Sequence, residues 1–571
     1  MSPHHPDHDI KWKPWSEEAF EEARREEKLV LLDLTASWCH WCHVMDRTTY
    51  SDPAVARLMN DNFVSIRVDI DKRPDISERY NRGGFPTTAF LSDRGESIWG
   101  ATYIPPADMK RIIGSILEAK RSGEIERALR DSRIECLRIP DKKDDQRPIG
   151  LIDLEDVFED IFSSYDAEEG GFGIEPKFPQ PDVVDVLLFR HTEKDDRGIA
   201  DAAITTLKRM TSGLYDEVEG GVFRYSVTRD WRTPHFEKML ETNLGFLRNA
   251  VHAYMLTGDD GFARSARGTA EFILRTLRDD GSGGFYGSQD ADEEYYALEL
   301  DARMRRGKPS VDRTIYAGWN ADAAATMLVS GMLLGERGWV DAGLKAWRNS
   351  VAKLWNPGLM LVRHVEGEDL YLFEDQVSFL NALIAVLDAT GDESVLGLAE
   401  ELIAAVERNF AHSEGGFSDV MRAAGAVGEL DTPRRPLVAN SNWALALAIF
   451  GAVTQNDHYI EKASGVLSSF TRAEVDAHGV FSAPYLRARW FIEYGPVVVE
   501  VRACPEKMHD PTELCVSALS LRHPAIVLRR TVDTNAPKPY AVVCARGKCF
   551  PRTESPERLK GILEAALSSM R

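Results

Sequence analysis

The stretch LVLLDLTASWCHWCHVM, residues 29–45, decides the reading of this chain. Its first eight residues form an apolar run of the kind that makes a buried strand, and the cysteines follow where a helix begins. Unpaired backbone N–H groups and the helix dipole stabilise an anion at that end, so Cys39 is the expected low-pKa thiolate. Cys42 stands beyond two intervening residues, one turn into the helix, placed to resolve a mixed disulfide formed on Cys39. His40 and Trp41 fill the gap. A protonatable imidazole beside a thiolate favours the reduced form, which makes the couple relatively oxidising. The redox reading requires sulfurs that a partner can reach.

Other chemistries fit parts of the same stretch. Zinc needs a second ligand pair at a fitting spacing, and beyond His40 and His43 no other CxxC exists, so no metal or other cofactor is expected. The run Cys39 to His43 also spells the c-type haem attachment pattern, but attachment would discard the strand before it. A merely structural pair is the third alternative.

Outward from this stretch, EEAFEEARREEK (residues 17–28) reads as helix, and FVSIRVDI (63–70) and TTAFLSD (87–93) as strands, the last ending at Asp93-Arg94-Gly95. A helix follows from Ala107. Residues 1–131 are thus a small α/β domain, and 132–150, containing RIPDKKDDQRP, read as a linker. From Leu151 the text turns to long helices. Their separators repeat: Gly170-Gly171-Phe172, Gly220-Gly221-Val222, Gly283-Gly284-Phe285 and Gly415-Gly416-Phe417, with weaker echoes near Asn356 and His478. Each Gly-Gly ends a helix in a conformation glycine adopts cheaply, and the apolar residue after it tucks into the core. Residues 151–495 are therefore expected to form six helical hairpins closed into an α/α toroid, the alternative being an open solenoid. Residues 496–571 return to strand, helix, strand, strand, helix, a small α/β appendage packed on the ring.

Asp33, Trp38, Cys39 and Cys42 stand at the spacing of the thioredoxin signature, and VDIDKRPDISERYNRGGFPTTAFLSDRGE (68–96) resembles the thioredoxin stretch that leads into its cis-proline. That resemblance implies that Asp33 is the buried acid handling the proton of the resolving cysteine. It also implies that Pro86 is the cis-proline that helps hold an extended substrate strand. The full run SWCHWCHVM, together with GGFPTTAFL, GGFGIEPKFPQP, GGVFRYSVTRDWRTPHFEKMLETN, SQDADEE and VVCARGKCFPRTESPERL, is similar to a narrower family, the spermatogenesis-associated thioredoxin-domain proteins and their bacterial and archaeal relatives. The resemblance implies a thioredoxin-like domain followed by a toroid similar to the N-acylglucosamine 2-epimerases. The chain departs from the family where relatives carry a long insertion after the Asp-Ala-Asp segment.

Polar and aromatic residues crowd the segments where the chain re-enters the ring: Tyr225, Arg229, Trp231, His235, Glu237 and Lys238, then Asp290 and Asp292, Trp319 and Asn320, and Asp375. In a closed ring they share one mouth. Aromatics mixed with amides and carboxylates suit a small sugar ligand, whereas a nucleotide would want a Gly-rich loop with Lys. Paired carboxylates, Asp290 or Asp292 with Asp375, suit glycoside hydrolysis, and His235 suits proton transfer beside a sugar carbonyl. For each residue the alternative is a structural role, as a cap or in the core.

The two halves leave three functional readings. The first is a thiol–disulfide redox protein with a thiol or disulfide protein partner and a reductant. The second is a sugar isomerase, epimerase or hydrolase with a regulatory thioredoxin domain. The third is a non-catalytic scaffold. Cys544 and Cys549, in CARGKC, are open between a second redox pair, a metal contact and two unrelated thiols. Cys136, Cys504 and Cys515 are expected to be inert.

Composition bounds these readings. The 571 residues carry 69 Lys and Arg against 91 Asp and Glu, and 69 − 91 = −22, which argues against nucleic acid or an anionic membrane as the main partner. Apolar stretches such as WALALAIFGAV read as buried helices, too short to cross a bilayer. The first residues have neither a basic nor an apolar region of an export signal. Seven cysteines are not a disulfide framework, and their odd number fits a reducing cytoplasm.

Overall fold

The computed structural model describes residues 9–138, 151–194, 197–421, 426–504, 510–521, 523, 525–545 and 548–568. It divides into two compact units. The first comprises Met1–Asp144 with Arg422–Arg434, the second Asp145–Met421 with Arg435–Arg571.

In the first unit, four strands stand in the order β2 (Phe63–Asp69), β1 (Leu29–Thr35), β3 (Thr87–Leu91) and β4 (Ser97–Ala101). β1 runs parallel to β2 and antiparallel to β3, and all seven of its residues are buried. Being covered on both faces, it has no polar alternation, which is why the sequence there is a continuous apolar run broken only by Asp33 and Thr35. Around the sheet lie α1 (Glu17–Arg25), α2 (His40–Met45), α3 (Pro53–Asn62), α4 (Pro74–Tyr80), α5 (Pro106–Arg121) and α6 (Glu124–Arg138). Helix α6 runs on to Arg138, past the point where the sequence turns charged and reads as linker. The rest of that linker, 139–150, lies outside the described residues, as does the side chain of Cys136.

Residues 426–434 come from far along the chain yet pack within this first unit. Arg79, on the last turn of α4, donates from Nε to Glu429 O (2.9 Å) and from a terminal nitrogen to Thr432 O (3.0 Å). The Tyr80 hydroxyl accepts from Glu429 N–H (2.9 Å) and donates to Gly95 O (2.7 Å).

In the second unit, α7 (Leu151–Ser163), α8 (Pro181–Lys194), α9 (Arg197–Leu214), α10 (Leu240–Thr257) and α11 (Asp260–Phe272) lead to two short helices, α12 (Glu293–Tyr296) and α13 (Leu300–Arg306). There follow α14 (Ala317–Leu334), α15 (Arg337–Lys353), α16 (Phe373–Thr390), α17 (Ser394–Asn409), α18 (Leu437–Thr454), α19 (Asp457–Ser468), α20 (Arg472–Ala477) and α21 (Ala483–Tyr494). Helices α8, α10, α14, α16, α18 and α21 touch one another in that order, and α21 returns to α8. Outside them α9, α11, α15, α17 and α19 each pack on the preceding inner helix, while α7 packs on α21. The ring is therefore a six-hairpin α/α toroid whose sixth hairpin joins its first and last helices, and the open solenoid is excluded. Helix α18 is long and apolar enough to cross a membrane by length and composition, contrary to the sequence reading, but most of it is buried as an inner wall of the ring.

The Gly-Gly separators do what their composition requires. Gly220 sits at φ +77°, and a Cβ there would lie 2.2 Å from the carbonyl oxygen of Gly268. The residue following three of the four separators is gripped by an amide side chain from the first turn of an inner helix. Asn243 accepts from Val222 N–H and donates to Val222 O; Asn320 does the same to Phe285, and Asn440 to Phe417. Gln376 repeats the grip on Val362 in the weaker echo. Each amide donates its remaining N–H to the carbonyl four residues earlier.

Two-residue strands line the re-entry segments: β5 (Tyr225–Ser226) with β6 (Pro234–His235), β7 (Lys238–Met239) with β8 (Ser288–Gln289) and β9 (Val311–Asp312), and β10 (Trp355–Asn356) with β11 (Leu361–Val362). The C-terminal module is a four-stranded sheet, β13 (Ile526–Val532), β12 (Val497–Ala503), β14 (Tyr540–Ala545) and β15 (Lys548–Cys549), with α22 (Thr512–Ser520) and α23 (Pro556–Ser568) packed on it. Strand β13 rests against α16 and α18.

Candidate functional site

In the first unit, Cys39 is the N-cap residue of α2 and forms a disulfide with Cys42. Its Sγ accepts the Cys42 backbone N–H (3.2 Å), so the orphan donor at the helix start is turned on the sulfur. The same donor will stabilise a Cys39 thiolate once the disulfide opens. The pair is more recessed than the redox reading calls for, with Cys39 4% and Cys42 3% exposed. Between them, His40 is half-buried and Trp41 is 47% exposed.

On β1, Asp33 is buried and holds Arg67 through Nε (2.7 Å), while the Tyr50 hydroxyl donates to its other oxygen (3.0 Å). Arg67 also bonds Asp46 (2.6 Å). Burial raises the Asp33 carboxyl above the usual carboxylate range, and the Arg67 guanidinium limits the rise. Pro86 is buried and follows a cis peptide bond after Phe85. Its loop is fixed from both ends: Asn81 Oδ1 accepts from Gly83 N–H (2.6 Å) and Gly84 N–H (3.0 Å), and Thr87 donates to Gly84 O (2.7 Å). Phe85 meets Trp38 edge to face, 6.2 Å between centroids, which joins this loop to the residue before Cys39. Among the described residues no group of three His, Cys, Asp or Glu side chains is arranged to hold a metal ion.

In the toroid, four of the residues singled out in the sequence come together. The Tyr225 ring stacks on the His235 ring at 4.9 Å, and Phe178 stacks on Tyr225 at 4.6 Å. His235 Nδ1 bonds Glu237 Oε2. The ladder between β7 and β8 pairs Lys238 with Gln289, and Glu237 and Asp290 adjoin that pair, one just beyond the end of each strand. Burial, with the charges of Glu237 and Asp292 added, pushes the Asp290 carboxyl up to about 7. Glu237 is 1% exposed, and its Oε1 has no hydrogen-bond partner among the described residues.

The other sequence candidates make bonds and contacts within the unit. Trp231 is fully buried, its indole donating to Glu169 O (3.1 Å). Arg229 and Lys177 both bond Asp166, and Lys238 and Arg303 repeat that arrangement on Asp216. Burial lowers the Lys238 ammonium to about 8 despite that carboxylate. Asp292 caps α12 by accepting from Tyr295 N–H. Asp375 accepts from Gly318 N–H (2.8 Å) and pairs with His364 Nδ1 (2.9 Å). Trp319 packs edge-on to Tyr316, and Asn320 is one of the hairpin grips.

A second polar group, on the inner helices themselves, was not singled out. Asp182 and Asp185 of α8 take the Arg248 guanidinium of α10 (3.0 and 2.6 Å), and Asp185 also accepts from Asn249 (2.9 Å). Arg487 of α21 approaches Asp185 (3.8 Å) and bonds Asn442 of α18 (3.1 Å). Asp322 of α14 is pushed up to about 7 by the protein around it, against the pull of Ser378 and Arg248. Glu241, Arg248 and His252 recur at seven and four residues on an α10 that carries no other ionisable side chain before Tyr254, and that spacing is the signal that marks them.

Residues 2–133 match the family Thioredox_DsbH, described as "Protein of unknown function, DUF255". Over 307 residues the chain is 32% identical to human (Homo sapiens) spermatogenesis-associated protein 20, covering 50% of this chain and 39% of that one. Over 314 residues it is 32% identical to the uncharacterized protein B0495.5 of Caenorhabditis elegans, covering 50% and 42%. The chain thus spans less than half the length of these relatives. Thioredoxin-1 of Drosophila melanogaster is 36% identical over 66 residues, 12% of this chain and 59% of that one. Among solved structures, a sugar epimerase from a ruminal bacterium aligns at TM-score 0.45 and 12% identity, covering 55% of this chain and 85% of that one. Residues 2–133 thus match a thioredoxin-like family model, and half of the chain is similar to spermatogenesis-associated protein 20, with an α/α toroid following the matched domain.

Proposed function

We propose that this protein exchanges thiols and disulfides at Cys39–Cys42, in the cytoplasm, with a disulfide-bearing protein partner and a reductant. The observation that carries the reading is Cys39 at the tip of α2 with the Cys42 N–H directed at its sulfur. In the reduced protein the Cys39 thiolate attacks a partner disulfide, forming a mixed disulfide and releasing one partner thiolate. Cys42 then loses its proton towards Asp33 and attacks Cys39 Sγ, which releases the second partner sulfur and closes the Cys39–Cys42 bond. A reductant restores the dithiol.

Recession of the pair makes access the decisive test. Equilibrated with reduced and oxidised glutathione without denaturant, Cys39 and Cys42 should pass reversibly between dithiol and disulfide, as read by alkylation and mass spectrometry. A pair that stays oxidised until urea is added is a structural staple, and the reading fails.

Asp33→Asn should slow resolution of the mixed disulfide on the order of 10²-fold at pH 7. A raised carboxyl accepts the Cys42 proton only while it is ionised, so the defect should shrink as pH rises above about 8.5, where the thiol ionises unaided. A constant defect from pH 6 to 10 would assign Asp33 to packing around Arg67.

A second reading, for the toroid, rests on the unpartnered Glu237 Oε1 beside Asp290 and the Phe178–Tyr225–His235 stack. In it a small hydroxyl-bearing sugar lies at these rings, Asp290 supplies a proton, and Glu237 with His235 accepts one. Turnover of a sugar panel that is lost in His235→Ala supports it. A panel without turnover or binding leaves the toroid a scaffold.

A further inference from the structure

The C-terminal sheet holds a second disulfide, Cys544–Cys549. The two residues stand directly opposite each other across β14 and β15. Along β14, Ala541, Val543 and Ala545 enter the core of the module, while Val542 and Cys544 are half-buried on the other face. Cys549 and its neighbour Lys548 are exposed on the two-residue edge strand.

Little of the fold depends on this bond. It closes a loop of sequence separation 5, the short end of the range, where a cross-link constrains the unfolded chain least. Strand β14 is registered along β12 from Tyr540 to Ala545 without it. Beyond the bond the returning chain is fixed again, by Phe550 N–H to Val543 O (2.8 Å) and by reciprocal bonds between Ala541 and Thr553 (2.8 and 2.9 Å). The setting also leaves a sulfur within reach of a small thiol, because Cys549 is exposed on the edge strand. The module's other cysteines contrast with it: Cys504 and Cys515 are 2% and 1% exposed, and burial pushes the Cys515 thiol up to about 11.

We propose that Cys544–Cys549 is a second thiol–disulfide exchange site, independent of Cys39–Cys42, whose partner is a small thiol of the glutathione kind. A small thiolate attacks the exposed Cys549 Sγ. The Cys544–Cys549 bond breaks, a mixed disulfide forms on Cys549, and Cys544 leaves as a thiolate that takes a proton from solvent. A second thiolate attacks the small thiol's sulfur in that mixed disulfide. It releases Cys549, which is protonated in turn, and the oxidised small-molecule disulfide. Overall, two small thiols are oxidised to one disulfide and the protein gains two electrons and two protons.

The test uses the full chain as Cys39→Ser/Cys42→Ser, so that the first couple is absent and its failure cannot be mistaken for failure of the second. In graded mixtures of reduced and oxidised glutathione without denaturant, alkylation and peptide mass spectrometry should show Cys544 and Cys549 passing reversibly between the two states. Adding Cys544→Ser should leave Cys549 carrying one glutathione, with the mixed-disulfide fraction several-fold above that on Cys504 or Cys515. A pair that remains oxidised until urea is added, or a Cys549 that gains no adduct, overturns the proposal. So does loss of the native circular dichroism spectrum in Cys544→Ser/Cys549→Ser, which would make the bond a staple.

Discussion

Cys42→Ser should arrest the protein as a covalent adduct, with turnover of a disulfide substrate falling on the order of 10³-fold or more, the scale expected when one member of a catalytic unit is removed. The first step survives, since Cys39 keeps its place at the tip of α2, but no sulfur remains to displace the partner. Incubated with disulfide-bearing proteins and separated without reductant, the variant should therefore migrate as mixed disulfides that dithiothreitol dissolves. Cys39→Ser should lose turnover to the same degree and trap nothing. That asymmetry assigns the roles: adducts on Cys42 in the Cys39→Ser protein would reverse them, and equal inertness in both variants would leave a scaffold.

Asn320→Leu should cost the toroid about 3–5 kcal/mol. Asn320 is fully buried and closes three hydrogen bonds, accepting from Phe285 N–H (2.7 Å) and donating to Phe285 O and Tyr316 O (both 2.9 Å). A leucine of similar volume leaves the Phe285 N–H and C=O buried without partners, at about 1–3 kcal/mol each. The midpoint of urea unfolding of the toroid, followed by tryptophan fluorescence, measures the loss. A ligand-binding role predicts the opposite pattern, with unchanged stability and weakened binding, and a cost below about 1 kcal/mol would favour it.

That residue also shows where the sequence misleads. A ligand pocket and a hairpin grip both call for a polar side chain beside a Gly-Gly turn, and one sequence does not separate them, so Asn320 reads as a pocket residue although it holds backbone. What separates them is the recurrence of the same grip on Val222, Phe285, Val362 and Phe417, visible only when the partners are seen. The Gly-Gly turns were legible because positive φ is a local demand that glycine alone meets cheaply. The cysteine pair was legible for a similar reason, since strand, turn and helix start are adjacent in the chain. Its depth was not, because exposure depends on what the loop at 81–87 and the rest of the unit lay over it.

Long-range pairings were the least legible. Nothing local marks 426–434 as part of the first unit; its anchors, Arg79 and Tyr80, lie near the end of an ordinary short helix. Nor does any motif mark Arg248 with Asp182 and Asp185, which meet only once α8 and α10 stand side by side.

The sixth hairpin has a further consequence for how the protein is made. Since α7 finds its mate in α21 and the turn just before it, a nascent chain emerging from the ribosome carries an unmatched helix through more than half of its synthesis. The flank of α8 that meets α21 stays uncovered for most of the same interval, the period in which a holdase chaperone has most to bind. Moving the termini to the loop before α8, with the old ends tethered, would let α7 be translated beside its mate and should relieve that dependence.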